Sequence, residues 1–202
     1  MRSGFAIGLV CLAALGLSGC VVALPRPASE RTEVLDGTLT LAAPRGFCVD
    51  GKSVQSSADG AFVLWGLCAA MSRGADTPRP THKAMLSASI GPLAPQPIET
   101  AFDRYESFLR TEAGRAALAR SGLAGDVEIL EITREPGLML LKIADRSAPP
   151  EAAVEPVYWR AVTAVAGRVG ALSVLPLVGS GMDDAAQIAL LHSFDATIRA
   201  AN

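Results

Sequence analysis

Residues 127–144 read VEILEITREPGLMLLKIA and decide the fold. Segments 127–134 and 138–144 are rich in apolar residues that favour strands, and the EPG at 135–137 between them is a turn sequence. The stretch therefore predicts a β-hairpin, in which two neighbouring strands run antiparallel. An antiparallel sheet commonly packs one face on the core, so the rest of the chain must supply whatever covers that face.

Outward from this hairpin, the sequence predicts five further strands. Each is a short apolar or alternating run bounded by glycine, proline or polar turn residues. Their predicted positions are 37–41, 61–67, 83–90, 157–166 and 169–175, of which the last two form a second hairpin around Gly167 and Arg168.

Two segments have helical periodicity instead. Thr100 and Asp103 predict a capping box at the start of the first helix, which Gly114 splits or bends before Gly122 ends it. The second helix begins near Asp183, with acidic residues at its positive end. Its apolar stripe consists of Ile188, Leu191, Phe194 and Ile198.

The element order is thus three strands, a helix, four strands and a helix. This order predicts an α+β fold with a single antiparallel sheet of about six or seven strands and two helices packed on one face. A chain of 202 residues needs no second folded domain, and we assign the predicted domain to residues 34–202.

The first twenty residues have the layout of a signal peptide. Arg2 is followed by the uncharged apolar run 5–17, which as a helix is about 20 Å long and too short for a hydrocarbon core of roughly 30 Å. Residues 17–20 then read Leu-Ser-Gly-Cys. This sequence resembles the lipobox of bacterial lipoproteins, in which a peptidase cuts before an acylated cysteine.

The lipobox resemblance implies that residues 1–19 are a cleaved signal peptide and that Cys20 carries the lipid. Residues 20–33 are then a tether, and the membrane is a partner through the lipid anchor. In lipoproteins of Gram-negative bacteria an aspartate after the cysteine commonly retains the protein at the inner membrane. Val21 at that position therefore implies the periplasmic face of the outer membrane. The alternative is an ordinary secretory peptide with an incidental cysteine.

Two cysteines, Cys48 and Cys68, lie within the predicted domain. Secretion exposes them to an oxidising compartment, and two cysteines allow one pairing, so we predict a disulfide between them. The alternative is a pair of buried reduced thiols. Redox or metal chemistry is disfavoured because the sequence has no CxxC pair and no histidine near either cysteine.

The remaining sequence predicts no catalytic set, no cofactor and no metal site. Histidines are present only at His82 and His192, without a metal-binding spacing, and structural or surface roles suit both. The Gly-Ser-Gly at 179–181 lacks the spacing of a nucleophile elbow and is interpreted as a turn. A formal net charge of −2 gives no electrostatic footprint for nucleic acid.

Trp159 and Arg160 form the predicted interaction surface. Tryptophan and arginine are both enriched at protein interfaces, and here they are adjacent in a predicted strand, with Tyr158 on the opposite face. The competing interpretation is that Trp159 belongs to the core, as an aromatic residue in a strand more often does.

The Pro44-Arg45-Gly46-Phe47 turn, after the opening strand, and the element order resemble PsbP-like domains. That resemblance implies a family whose members mostly scaffold or assemble membrane complexes and are usually not catalytic. The two cysteines and the loop at 72–83 depart from its pattern.

Together these features predict a membrane-anchored envelope lipoprotein that is not an enzyme and serves as a protein-binding or assembly module. Its expected partner is another envelope protein. One alternative is a small-molecule or lipid-binding periplasmic domain, with the ligand between sheet and helices. A hydrolytic enzyme is the third possibility.

Overall fold

The computed structural model describes residues 28–72, 78–147, 149 and 152–202. The predicted signal peptide, Cys20 and residues 20–27 of the predicted tether lie outside the described residues. The rest of that tether, 28–33, includes the start of the first strand, so ordered structure begins before residue 34.

Ten strands and four helices are present in the described residues. The strands are β1 (Arg31–Val34), β2 (Leu39–Ala42), β3 (Phe47–Val49), β4 (Gln55–Ser56), β5 (Ala61–Leu67), β6 (Ala84–Leu93), β7 (Val127–Glu135), β8 (Leu138–Asp145), β9 (Val157–Val165) and β10 (Arg168–Pro176). The helices are α1 (Cys68–Met71), α2 (Phe102–Leu109), α3 (Glu112–Leu118) and α4 (Asp184–Ala200), with short 3₁₀ turns at Ile98–Ala101 and Ala124–Asp126.

The main sheet has eight strands and confirms the predicted α+β class. Seven of them follow the order β3-β5-β6-β10-β9-β8-β7, and β4 pairs with β5 at one side. All of the pairings are antiparallel. The two predicted hairpins are present as β7–β8 and β9–β10, with Gly137 and Gly167 in the left-handed backbone region that these tight turns require.

The predicted first strand lies outside the main sheet. It corresponds to β2, which pairs with β1 in a separate two-stranded sheet. Leu35, Asp36 and Gly37 all have positive φ, so the chain reverses within three residues and β2 folds back on β1. This small sheet still contributes to the core, because Leu41 of β2 is fully buried.

The predicted first helix is divided in two, and its predicted capping box is wrong. The Thr100 hydroxyl donates to the carbonyl of Pro97 in a 3₁₀ turn, and α2 begins without a side-chain cap. The chain breaks after α2, where Thr111 caps α3 by accepting from the amide of Gly114. A Cβ at Gly114 would lie 2.0 Å from the Phe108 carbonyl oxygen, so glycine allows α3 to fold tightly against the end of α2.

The second helix, α4, is as predicted. Asp183 caps it by accepting from the amide of Ala186 at 2.8 Å, and Asp184 lies in its first turn. The buried stripe holds Leu191, Phe194 and Ile198, and the Phe194 ring packs edge-on against Trp65 of the sheet.

The prediction that both helices pack on one face is not confirmed. Alternate residues of β8 and β9 belong to two different cores: Leu140 and Trp159 pack with α4, whereas Leu141 and Tyr158 pack with α2 and α3. Because successive side chains of a strand point to opposite faces, α4 covers one face and the α2–α3 pair covers part of the other. We refer to these as the α4 face and the α2–α3 face.

Candidate functional site

Cys48 and Cys68 form a disulfide, as the sequence predicts, with their Cα atoms 4.8 Å apart. Cys48 lies in β3 opposite Gly66 of β5, and Cys68 begins α1 directly after β5. Both residues are almost fully buried, and the amide of Cys68 donates to the carbonyl of Gly46. The disulfide therefore clamps β3 and the preceding turn onto β5.

Trp159 is a core residue. Only 2% of it is exposed, and it packs in the core under α4. Its indole Nε1 donates to Asp184 Oδ1 at 3.0 Å, and its backbone amide donates to Gln187 Oε1 at 3.2 Å. Hydrogen bonds from Lys142 and Trp159 hold the pKa of Asp184 below its ordinary value. These bonds fix the start of α4 on the sheet.

Arg160 points to the opposite face from Trp159, so the two residues do not form one surface. Arg160 Nε donates to Ser173 Oγ at 2.9 Å, and its guanidinium lies 5.7 Å from the centre of the Tyr158 ring. Tyr158 is itself 1% exposed, and this burial raises the pKa of its hydroxyl. The predicted patch is thereby reduced to Arg160, on the α2–α3 face.

The α2–α3 face is covered over only part of its width. The hydrophobic contacts of α2 and α3 are with β7, β8, β9 and the end of β10. Leu175 at the end of β10 packs with the α2–α3 core, and α1 reaches β5 through Met71, whose Sδ lies 3.3 Å from where a Cβ of Gly66 would be. The other large side chains of β5, β6 and β10 that point to this face belong to neither core. We call this half the open face; it comprises Phe62, Leu64, Met85, Ser89, Val169 and Ala171.

The open face is apolar with small polar residues between. Phe62, Leu64 and Met85 are partly exposed, while Ser89 is exposed at the centre of the half-sheet. The same strands are closed on their other side, where Val63, Leu86 and Ala88 are fully buried in the core that α4 and the β1–β2 sheet share. Arg160 lies at the border between the open face and the part that the helices cover, two strands away from Ser87 of β6.

A cleft opens on the α4 side of the domain, near the N-terminal end of the described chain. It is lined by residues of the turn 44–47, by the segment 78–82 and by Leu190 of α4, and its volume is about 480 Å³. Arg45, Arg79 and His82 line it together with three prolines and Phe47. We call it the arginine cleft.

Gly46 holds the two walls of the arginine cleft together. Its φ is +95°, and a Cβ there would lie 2.8 Å from Pro80 Cδ and 2.9 Å from Pro80 N. Only glycine allows the two segments to approach this closely. Since Arg45 precedes Gly46 and Arg79 precedes Pro80, both arginine side chains start one residue from the contact.

A second group of arginines lines a cleft between α3 and β7, but its members are engaged. Arg110 pairs with Glu106 at 2.8 Å, Arg146 lies 3.5 Å from Glu128, and Arg115 donates to the Arg110 carbonyl at 2.7 Å. Each of these arginines already has a partner within the chain, so we interpret the cluster as surface ion pairs and not as a binding site.

Asp145 is the most enclosed carboxylate among the described residues. Its side chain is 0% exposed and accepts hydrogen bonds from Ser147 and from both the backbone and the guanidinium of Arg120. Burial by itself raises the pKa, but the hydrogen bonds from Ser147 and Arg120 together outweigh it and hold the pKa below its ordinary value. The arrangement ties the end of β8 to the segment after α3.

Sequence reasoning missed both surfaces. A signal for the open face was present in β6, where Ser87 and Ser89 alternate with buried apolar residues as in a half-covered strand. For the cleft, the sequence places Arg45 in a turn and favours a structural or surface role for His82, and neither pattern indicates that these side chains line one cleft. The other predicted histidine, His192, lies 3.2 Å from Glu135 in an ion-pair geometry on the surface.

Comparisons of the chain with protein-family models, with curated proteins and with solved structures find no match. Within the described ranges, no group of three or more His, Cys, Asp or Glu side chains is arranged to hold a metal ion. The helices of that part of the chain include none that is long and apolar enough to cross a bilayer.

Proposed function

We propose that this chain is a membrane-anchored envelope lipoprotein whose folded domain binds another envelope protein and carries out no catalysis. The lipobox-like residues 17–20 support the anchor, and Val21 supports the periplasmic face of the outer membrane as its location. The observation that carries the binding function is the open face of the main sheet.

The open face has the composition of an interface core. Apolar side chains that remain in contact with water forgo roughly 25 cal/mol per Å² of the stabilisation that burial would give. A contiguous apolar patch on a folded domain therefore marks a surface for contact with a partner. Ser89 lies exposed between the apolar residues of the patch, and its small side chain lets another backbone or sheet approach closely.

Arg160 gives the open face a charged border. Its guanidinium is held by Ser173 and by the Tyr158 ring, so it is ordered before a partner arrives. Arginine in such a position recognises a carboxylate with two parallel hydrogen bonds. The expected partner is accordingly a protein surface with an apolar patch bordered by an acidic side chain.

Site-specific photo-crosslinking in native membranes tests this proposal. A photoreactive phenylalanine analogue replaces Ser89, at the centre of the open face, in the full chain; the matched control places it at Ser107, which is exposed on α2. We expect one envelope protein, identified by mass spectrometry, to be captured from position 89 and not from position 107. Arg160→Glu should reduce that capture.

Three outcomes contradict the proposal. Equal capture from both positions means that the open face is not the contact, and capture of a second copy of this chain replaces the envelope partner with self-association. Capture of lipid alone supports the ligand-binding alternative. Cys20→Ser tests the anchor separately. A chain that cannot be acylated at residue 20 should either leave the membrane fraction or retain its uncleaved signal peptide.

A further inference from the structure

The arginine cleft carries two guanidinium groups that no described acidic residue neutralises. Arg45 and Arg79 make no ion pair and no side-chain hydrogen bond within the described part of the chain, although both line the same cleft. By contrast, Arg120, Arg134 and Arg199 are each paired with a carboxylate at 3.0 Å or less. We propose that the arginine cleft binds a phosphate monoester attached to an apolar group.

The charge of the cleft favours phosphate over carboxylate. Two guanidinium groups, each with a planar fork of N–H donors, match the several acceptor oxygens and the nearly double negative charge of a phosphate monoester. A single carboxylate needs only one such fork. His82 adds a ring nitrogen to the same lining, and Thr81 adds a hydroxyl, so donors reach the anion from one continuous segment.

The walls of the cleft favour an apolar group beside the phosphate. Leu190 and the prolines at 44, 78 and 80, all partly exposed, supply aliphatic surface to the lining. A volume of about 480 Å³ is more than an inorganic phosphate needs and lies within the usual range for small-molecule sites. The ligand class is therefore an amphiphile with a terminal phosphate.

The position of the cleft favours a lipid headgroup as the source of that phosphate. Glu30 Oε1 accepts from the amide of Gly46 at 2.7 Å, so the N-terminal segment passes the wall of the cleft. From Cys20 to Glu30 the extended chain spans at most about 36 Å. The choice of a lipid headgroup rests on the lipid anchor in the proposed function. A chain anchored at Cys20 holds the cleft within reach of the bilayer surface, where phosphate headgroups are concentrated.

Isothermal titration of the full chain, solubilised in a non-ionic detergent, tests the inference. The probes are dibutyryl-phosphatidic acid, which is water-soluble, inorganic phosphate and butyrate. We expect dibutyryl-phosphatidic acid to bind more tightly than inorganic phosphate and butyrate not to bind. Arg45→Gln with Arg79→Gln should weaken binding at least tenfold, and Arg45→Lys with Arg79→Lys should weaken it less.

A double variant with the same change of charge serves as the matched control. Arg104→Gln with Arg146→Gln alters two exposed arginines on other elements and should leave the affinity within about twofold, because neither lines the cleft. An unchanged thermal midpoint in each variant shows that folding is intact.

Several results would overturn the inference, and they are separable from failure of the proposed function. If no phosphate compound binds, or if the control variant loses as much affinity as the Arg45 and Arg79 variant, the cleft is not a phosphate site. If inorganic phosphate binds as tightly as dibutyryl-phosphatidic acid, the ligand needs no apolar group and the proposed lipid source is wrong. Capture of a partner from Ser89 does not depend on any of these outcomes, because the open face and α4 lie on opposite sides of the sheet.

Discussion

Removal of the disulfide should destabilise the domain by a predictable amount. Cys48 and Cys68 are separated by 20 residues, and the chain-entropy model gives a stabilisation of about 3 kcal/mol for a closed loop of that length. The double variant Cys48→Ala, Cys68→Ala avoids placing hydroxyl groups in the buried positions. We therefore expect its free energy of unfolding to fall by about 3 kcal/mol, which for a domain of this size lowers the thermal midpoint by roughly 6 to 12 °C.

Urea unfolding followed by tryptophan fluorescence measures this difference, since Trp65 and Trp159 are both buried in the folded domain. Reduction of the wild-type protein should produce the same loss, and the variant should be insensitive to reductant. Peptide mapping without reduction should recover the peptides of Cys48 and Cys68 linked together. If the linked peptides are found but the variant unfolds within about 1 kcal/mol of the wild type, the loop-entropy explanation is refuted.

Two other changes test the packing of the helices and the buried carboxylate. Gly114→Ala should lower the free energy of unfolding by about 1 to 3 kcal/mol despite the better helix propensity of alanine, because its Cβ would meet the Phe108 carbonyl. The control Gly125→Ala, with no atom within 4 Å of the added Cβ, should be nearly neutral. Similar unfolding midpoints for the two variants would contradict the α2–α3 contact. Asp145→Asn should cost about 2 kcal/mol at pH 7. Since the folded pKa of Asp145 is lowered from an unfolded value near 3.9, that difference should be constant above about pH 5 and shrink as the pH falls below about 4; a difference that grows with acid would show the opposite pKa shift.

Local signals accounted for the parts of the fold that were predicted well. The EPG at 135–137 and the glycine at 167 mark the turns of β7–β8 and β9–β10, and a two-residue turn determines its hairpin without help from distant residues. Asp183 is a helix cap that acts within one turn of α4. The pairing of Cys48 with Cys68 follows from the expected oxidising compartment and from the presence of two cysteines in the predicted domain.

Other features required contacts between segments that are distant in sequence. The sequence predicts a break in the helix at Gly114, but the contact that demands a glycine is with the carbonyl of Phe108 after the chain has turned back. The 37–41 strand was predicted correctly as a strand, yet its partner is β1 and not the main sheet. Strand alternation alone does not specify which neighbour completes the hydrogen bonds.

The sequence of β8 has the pattern of a strand that is covered on both faces. In β8, residues 138–141 are four consecutive apolar residues, all buried, as expected of a strand that is covered on both sides. The predicted single covered face conflicts with that pattern. The sequence of β5 is also a continuous apolar run, yet its residues alternate between buried and partly exposed, so this pattern alone does not specify which strands are covered on both sides.

The sequence by itself determined the hairpins, the final helix, the disulfide pair and the expectation of a lipid anchor at Cys20, because each depends on a few neighbouring residues or on a residue count. Only the tertiary structure decided that Trp159 is core, that the helices occupy opposite faces, and that Arg45 and Arg79 share one cleft. Each of these depends on which distant segments come into contact, because those contacts determine which side chains are buried and which charges are paired.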